Sequence, residues 1–275
     1  MNLSSNNRTY TKADIFNQLQ SMNAPRNGVV LMHSSLRLVG QVEGGAEGLL
    51  DALIDYFTGE GGLFCVAAHT WSNLKKEITL DVSDPETCLG AFSDLAVRSG
   101  KGIRSENPTH SMVVFGDAAR AREFVAGEIN VPSGTAPESC YGKICEMGGH
   151  ILLVGVSHSK NTYLHAVEEM LGMHDVRLAK EPRTVRVKRE NGDIVTGTVR
   201  SHKTAFTNDV SLRFPKYETA FRYHGAIRDG FLGRAPVQLC DARTMRDVMA
   251  LILERAGKDP LEDELALPPK WYAAE

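Results

Sequence analysis

Short apolar runs alternate with amphipathic stretches over roughly the first two thirds of the chain. "NGVVLMHSSL", "LFCVAAHTW", "HSMVVFG" and "HILLVGV" each read as a buried strand that runs into, or out of, a polar loop. Between them lie helical patterns. "YTKADIFNQLQSMNA" is capped by Thr11, with the carboxylate of Asp14 three residues on. In "GGAEGLLDALIDYFTGEGG", Leu49, Leu50, Leu53, Ile54 and Phe57 recur at helical spacing until glycines end the segment. "GAFSDLAVRSG", "DAARAREFVAGEI", "YGKICEMGG" and "NTYLHAVEEML" continue the alternation, and residues 71–88 read as a long loop.

Strand–helix alternation predicts a three-layer α/β fold with a largely parallel central sheet, whose site lies at the carboxyl ends of the strands. After residue 178 the texture changes. "RTVRVKRENGDIVTGTVRSH" alternates strictly and turns at Asn191-Gly192, which predicts a hairpin packed on the main sheet. "TMRDVMALILERA" reads as a helix, and residues 259–275 as a frayed tail. The expected organisation is one domain over 1–275: a main α/β part to 178, an antiparallel and helical subregion over 179–258, and the tail.

Composition narrows the class. At 42% hydrophobic and 24% charged residues the chain is an ordinary globular protein, and its net charge of −3 gives no general attraction for nucleic acid or an anionic membrane. The five cysteines, at 65, 88, 140, 145 and 240, form no CxxC pair and read as reduced thiols. "MNLSSNNRTYTKADIF" has no apolar signal-peptide core, and no apolar stretch approaches the roughly 18 residues of a membrane span. The expectation is a cytoplasmic protein acting on a small molecule, as a monomer or a homodimer.

The chemistry is harder to place. Neither GxxxxGK[ST] nor GxGxxG follows the first strand, although Gly44-Gly45 before a helix offers backbone N–H groups to a phosphate. His33, His69, His110, His158 and His165 lie near strand ends, yet HxH and HExxH are absent and Cys140 and Cys145 are badly spaced for zinc, so no metal is expected. GxSxG is absent as well, which argues against an acyl-enzyme hydrolase. His165 is different. In the first turn of a helix the dipole favours a neutral imidazole, the form a base requires, and Glu168 or Glu169 one turn on can hold the ring's other nitrogen. Spacing alone leaves open a packed or surface histidine.

Several stretches, in order, resemble the aminoglycoside 3-N-acetyltransferase family: "VVLMHSSLRLVGQVEGGAEGLLDAL", "HTW", "RSENPTHSMVVFG", "YGKICEMGGHILLVGVSHSKNTYLHAVEE" and, more loosely, "FPKYETAFRYHGAIRDGFLGRA". The resemblance implies an acetyl-CoA-dependent N-acetyltransferase that moves acetyl directly to an amine, the 3-amino group of an aminoglycoside. It implies that His165 is the catalytic base and Glu168 its acidic partner. His33, Ser34, Ser35 and Leu36 would lie beside acetyl-CoA, with Arg104, Ser105 and Ser111 lining the same cleft. Asp81 and Asp84 lie in the 71–88 loop, which the resemblance does not cover, and their charge suits an ammonium-rich acceptor; His69 and Asp209 are expected on the same side. The chain departs from the family pattern at Asn107, where histidine is usual. Two further readings share the fold: the same transfer to a metabolite, peptide or aminophosphonate amine, and a CoA-binding protein without catalysis.

Overall fold

The computed structural model describes residues 8–203 and 209–274. The first seven residues, part of the segment inspected for a signal peptide, lie outside the described residues. Among those described, no helix is long and apolar enough to cross a membrane.

The chain opens with α1 (Lys12–Ser21), where Thr11 and Asp14 form the expected reciprocal cap. It continues through β1 (Val29–Ser34), α2 (Gly45–Thr58), β2 (Leu63–Ala67), a two-residue β3 (Leu80–Asp81), α3 (Ala91–Arg98), β4 (Ile103–Arg104), β5 (Met112–Phe115), α4 (Ala118–Phe124), α5 (Cys140–Glu146), β6 (His150–Val154) and α6 (Tyr163–Met170). The second part holds β7 (Arg183–Lys188), β8 (Ile194–Val199), α7 (Glu218–Tyr223), β9 (Ile227–Leu232), β10 (Ala235–Asp241) and α8 (Ala242–Ala256).

Seven strands form the main sheet in the order β9-β10-β6-β1-β2-β5-β4. The three at its centre, β6, β1 and β2, are mutually parallel. The flanking pairs are antiparallel, so β5 and β10 alone run against the other five. Period-2 alternation divides the apolar side chains between two cores. Val29, Leu31, Leu63, Cys65, Ile151 and Leu153 pack with α4 to α8, while Val30, Met32, Phe64, Val66, Leu152 and Val154 pack with α1 to α3. That is the expected α/β sandwich of three layers.

Three features depart from expectation. The hairpin β7–β8 does not lie on the main sheet. It joins β3 in a separate three-stranded sheet, because Val187 has its own small core of Leu80, Val82 and Ile129 to fill. The hairpin β9–β10 was not foreseen and completes one edge of the main sheet. Finally, the closing segment is docked rather than frayed: Leu261, Leu267 and Tyr272 are buried, and the Lys216 ammonium donates to the carbonyls of Pro260 and Asp263.

The mixed sheet gathers the site. The carboxyl ends of β1, β2 and β6 share one rim, and antiparallel β5 begins there, with Ala67 opposite Met112. His33, His69, His110 and the loop leading to α6 therefore come together.

Candidate active site

α6 starts at Tyr163, whose buried ring sits in the core and whose hydroxyl donates to the Ala242 carbonyl at 2.8 Å. From this anchored helix His165 packs against His202 and Phe214, Glu168 meets Arg177, and Glu169 meets Ser133 and Thr135. His165 Nδ1 lies 3.8 Å from Glu168 Oε2. Among the described residues neither atom has a hydrogen-bond partner, although both are buried. At 3.8 Å they are too far apart for a hydrogen bond, but they face one another as an incipient acid–base pair.

The other oxygen of Glu168 is fixed. Arg177 Nε donates to Oε1 at 2.7 Å, and the same guanidinium grips both oxygens of Asp259 at 2.7 Å each. Burial works against the charge on Arg177, yet its bonds to Asp259 and Glu168 raise its pKa above the ordinary value. Glu168 is thus the inner carboxylate of the pair.

A row of imidazoles extends from His165. Its ring centroid is 4.4 Å from that of His202, which is 5.3 Å from His110, which is 4.7 Å from His69. His69 Nε2 and the Tyr141 hydroxyl are 2.6 Å apart. Burial first, then the charges of neighbouring histidines, push His69, His110 and His202 well below the usual imidazole range. Those three rings are therefore neutral at pH 7. Burial likewise lowers His33 to about 4, and its Nε2 has no partner among the described residues.

Glu169 is buried as well. The Ser133 and Thr135 hydroxyls donate to it, and His202 Nε2 lies 3.8 Å away. Burial raises its carboxyl pKa despite those bonds. Gly134 sits between these two donors. A methyl group there would collide with the His110 ring, so the close approach of this loop requires glycine.

The residues expected to line the cofactor cleft divide. Ser34, Ser35 and Leu36 lie on the rim, and the hydroxyls of both serines make no hydrogen bond within the described residues. The Ser35 N–H is already engaged, donating to the Val154 carbonyl. Arg104, Ser105 and Ser111 depart from expectation. The Arg104 guanidinium donates to the carbonyls of Ala68 and Asp84 and to the Ser111 hydroxyl, and the Ser111 hydroxyl donates to the Ala68 carbonyl. Ser105 donates to the buried carboxyl of Glu128. These three brace the rim from inside, with their donors taken up by the protein. Burial pulls Arg104 down to about 10.

The acceptor-side set divides too. His69 joins the histidine row. Asp81 pairs with Lys188 at 2.9 Å, Asp84 caps a turn at Glu86, and Asp209 caps the turn at Ser211. Among the described residues none of these aspartates bonds to the row. Asn107 is fully buried, its amide donating to the Gly134 carbonyl while its oxygen accepts from the N–H groups of Thr109 and His110. It shapes the turn that carries His110. Arg177, Asp259 and Glu128 were missed, and His110 was not assigned a role at the base. Only His110, inside "NPTHS", carried a local signal.

A model of the aminoglycoside 3-N-acetyltransferase family matches residues 31–254. The chain belongs to that family. The acyltransferase class expected from its motifs is thereby borne out. Similar family members include the aminoglycoside N(3)-acetyltransferase IV of a Salmonella species, 29% identical over 254 residues, covering 92% of this chain and 89% of the relative. The aminoglycoside N(3)-acetyltransferase VII of Streptomyces paromomycinus is 24% identical, covering 90% and 93%. Among solved structures, the apoenzyme of aminoglycoside acetyltransferase AAC(3)-IVa superposes with a TM-score of 0.76 at 27% identity, over 97% of this chain and 95% of that one. A gentamicin complex of a variant of the same enzyme gives 0.74 at 27% identity, over 96% and 93%. AAC-IIIb with CoASH shares the fold at 20% identity, covering 90% and 98%, with a TM-score of 0.72.

Proposed function

We propose that this family member transfers the acetyl group of acetyl-CoA to the 3-amino group of an aminoglycoside, with His165 as general base. The observation that carries the reading is the facing pair of unpartnered buried atoms, His165 Nδ1 and Glu168 Oε2. An imidazole that accepts a proton at Nε2 donates from Nδ1, and the waiting carboxylate oxygen receives that N–H as charge develops. The acceptor nitrogen attacks the acetyl carbonyl carbon, the C–S bond breaks, and the proton lost by the amine passes to His165 and on to the CoA thiolate. The free hydroxyls of Ser34 and Ser35 are the donors available to the thioester oxygen as it gains charge.

The rim residues suit acetyl-CoA. A cavity of about 410 Å³ beside Leu36 is lined by Arg8, Arg37 and Arg234, and a second of about 410 Å³ continues from Gly40 to Gly45 at the start of α2. Arg8 pairs with Asp14, whereas Arg37 and Arg234 have no carboxylate partner among the described residues. Free guanidinium groups beside a helix N-terminus match the charge of CoA's phosphates. They take the role that the inward-turned Arg104 does not fill.

The names of the relatives and the bound gentamicin of a structural neighbour support an aminoglycoside acceptor. The experiment is thiol release from acetyl-CoA with aminoglycosides bearing a free or a blocked 3-amino group. Release confined to the free-amine compounds is expected. Release with none of them would overturn the acceptor assignment.

A further inference from the structure

The Arg177–Asp259 fork ends on Glu168, the carboxylate that lies 3.8 Å from His165 Nδ1. We infer that Arg177 and Asp259 are positioning residues that set the basicity of His165 through Glu168, so that the closing segment is part of the catalytic apparatus. The inference rests on the reading of His165 as the base.

Glu168 is fully buried and has two oxygens with different fates. One accepts from Arg177 and the other points to His165. Arg177 has a guanidinium that donates to two carboxylates at once, with Nε committed to Glu168 and both terminal nitrogens to Asp259. This fork leaves the carboxylate little rotational freedom, because planar bidentate pairing fixes the plane of the guanidinium. Asp259 is itself held, since its Oδ1 accepts from the Leu261 N–H and Leu261 is buried in the core. Burial would raise the Asp259 carboxyl, but Arg177 and that N–H keep it below its ordinary value. The chain of contacts therefore runs from a buried apolar anchor in the closing segment to the histidine.

Charge makes the arrangement more than a brace. With both aspartate and glutamate ionised, the Glu168–Arg177–Asp259 triad carries one net negative charge toward His165. Without Asp259 the triad is neutral, and without Arg177 it carries two negative charges. Other groups facing this region are the neutral rings of His202, His110 and His69, the carboxyl of Glu169, the phenol of Tyr217 (raised by burial, then by Glu168), and Lys216 beside Asp259. They are common to every variant below and leave the sign of the change to the triad.

The test reads the histidine directly and needs no acceptor. In ¹⁵N-histidine-labelled protein, the His165 resonance is assigned by its loss in His165→Ala and titrated by NMR. Asp259→Asn should lower the His165 midpoint by a few tenths of a unit to about one unit, and Arg177→Gln should raise it. Opposite shifts are a result that a purely structural role does not produce. Arg177→Gln leaves a buried carboxylate without its cation and can fail to fold; Asp259→Asn then decides the matter alone. An unmoved midpoint in folded Asp259→Asn, or shifts of the same sign in both variants, would overturn the inference. Acetyl transfer is measured separately on wild-type protein, so failure of the acceptor assignment is distinguishable from failure of the relay.

Discussion

Replacing Glu168 by glutamine removes one charge and keeps the shape of the side chain. The wild-type geometry fixes the size of the effect. A carboxylate and an imidazolium 3.8 Å apart interact by about 4 kcal/mol at an effective dielectric constant of about 20. Arg177 on the other oxygen opposes the effect and reduces it. The sign follows from charge: without the carboxylate the imidazolium loses stabilisation, the base weakens, and the acidic limb of the kcat profile moves to lower pH. Turnover should fall by roughly 10- to 100-fold, while KM for acetyl-CoA stays nearly constant because the interaction strengthens only as charge develops. The assay is thiol release from acetyl-CoA across pH, with circular dichroism to confirm folding. A folded variant with an unmoved acidic limb would refute the pairing.

Further outcomes follow from the same geometry. The double substitution Arg37→Gln and Arg234→Gln should weaken acetyl-CoA binding by about tenfold or more and leave pantetheine binding unchanged, as measured by calorimetry. Asn107→Ala orphans the N–H of His110 and the carbonyl of Gly134, and should cost about 1–3 kcal/mol of stability in denaturant unfolding. Asp259, whose pKa is depressed in the fold, contributes stability that is present above the unfolded carboxylate value and is lost as pH falls through the lower folded one; acid unfolding of Asp259→Asn should be correspondingly less steep in that window.

The sheet and the helices before residue 178 were legible because their apolar periods are local: β1, β2, β5 and β6 alternate between two cores, and α2 repeats every three to four residues. The direction of β5 was not, since an apolar run reads the same parallel or antiparallel. The β9–β10 hairpin carries Asp229 and Gly230 where a buried strand would be apolar, which masked it. At the site, His165 and Glu168 stood one helical turn apart and could be paired by spacing. Arg177 and Asp259 could not, because 82 residues separate them and only the docked closing segment brings them together. Arg104 shows the converse: its motif was visible, but the direction of its guanidinium is set by carbonyls that only the folded rim presents.

In the proposed mechanism His165 takes the acceptor's proton during acetyl transfer to a 3-amino group. The most direct test is single-turnover thiol release from acetyl-CoA with a 3-amino aminoglycoside, comparing wild type with His165→Ala at saturating concentrations of both substrates. Release by the wild type and a loss of roughly 10²- to 10⁴-fold in the variant are expected. A folded His165→Ala protein that releases thiol at the wild-type rate would contradict it.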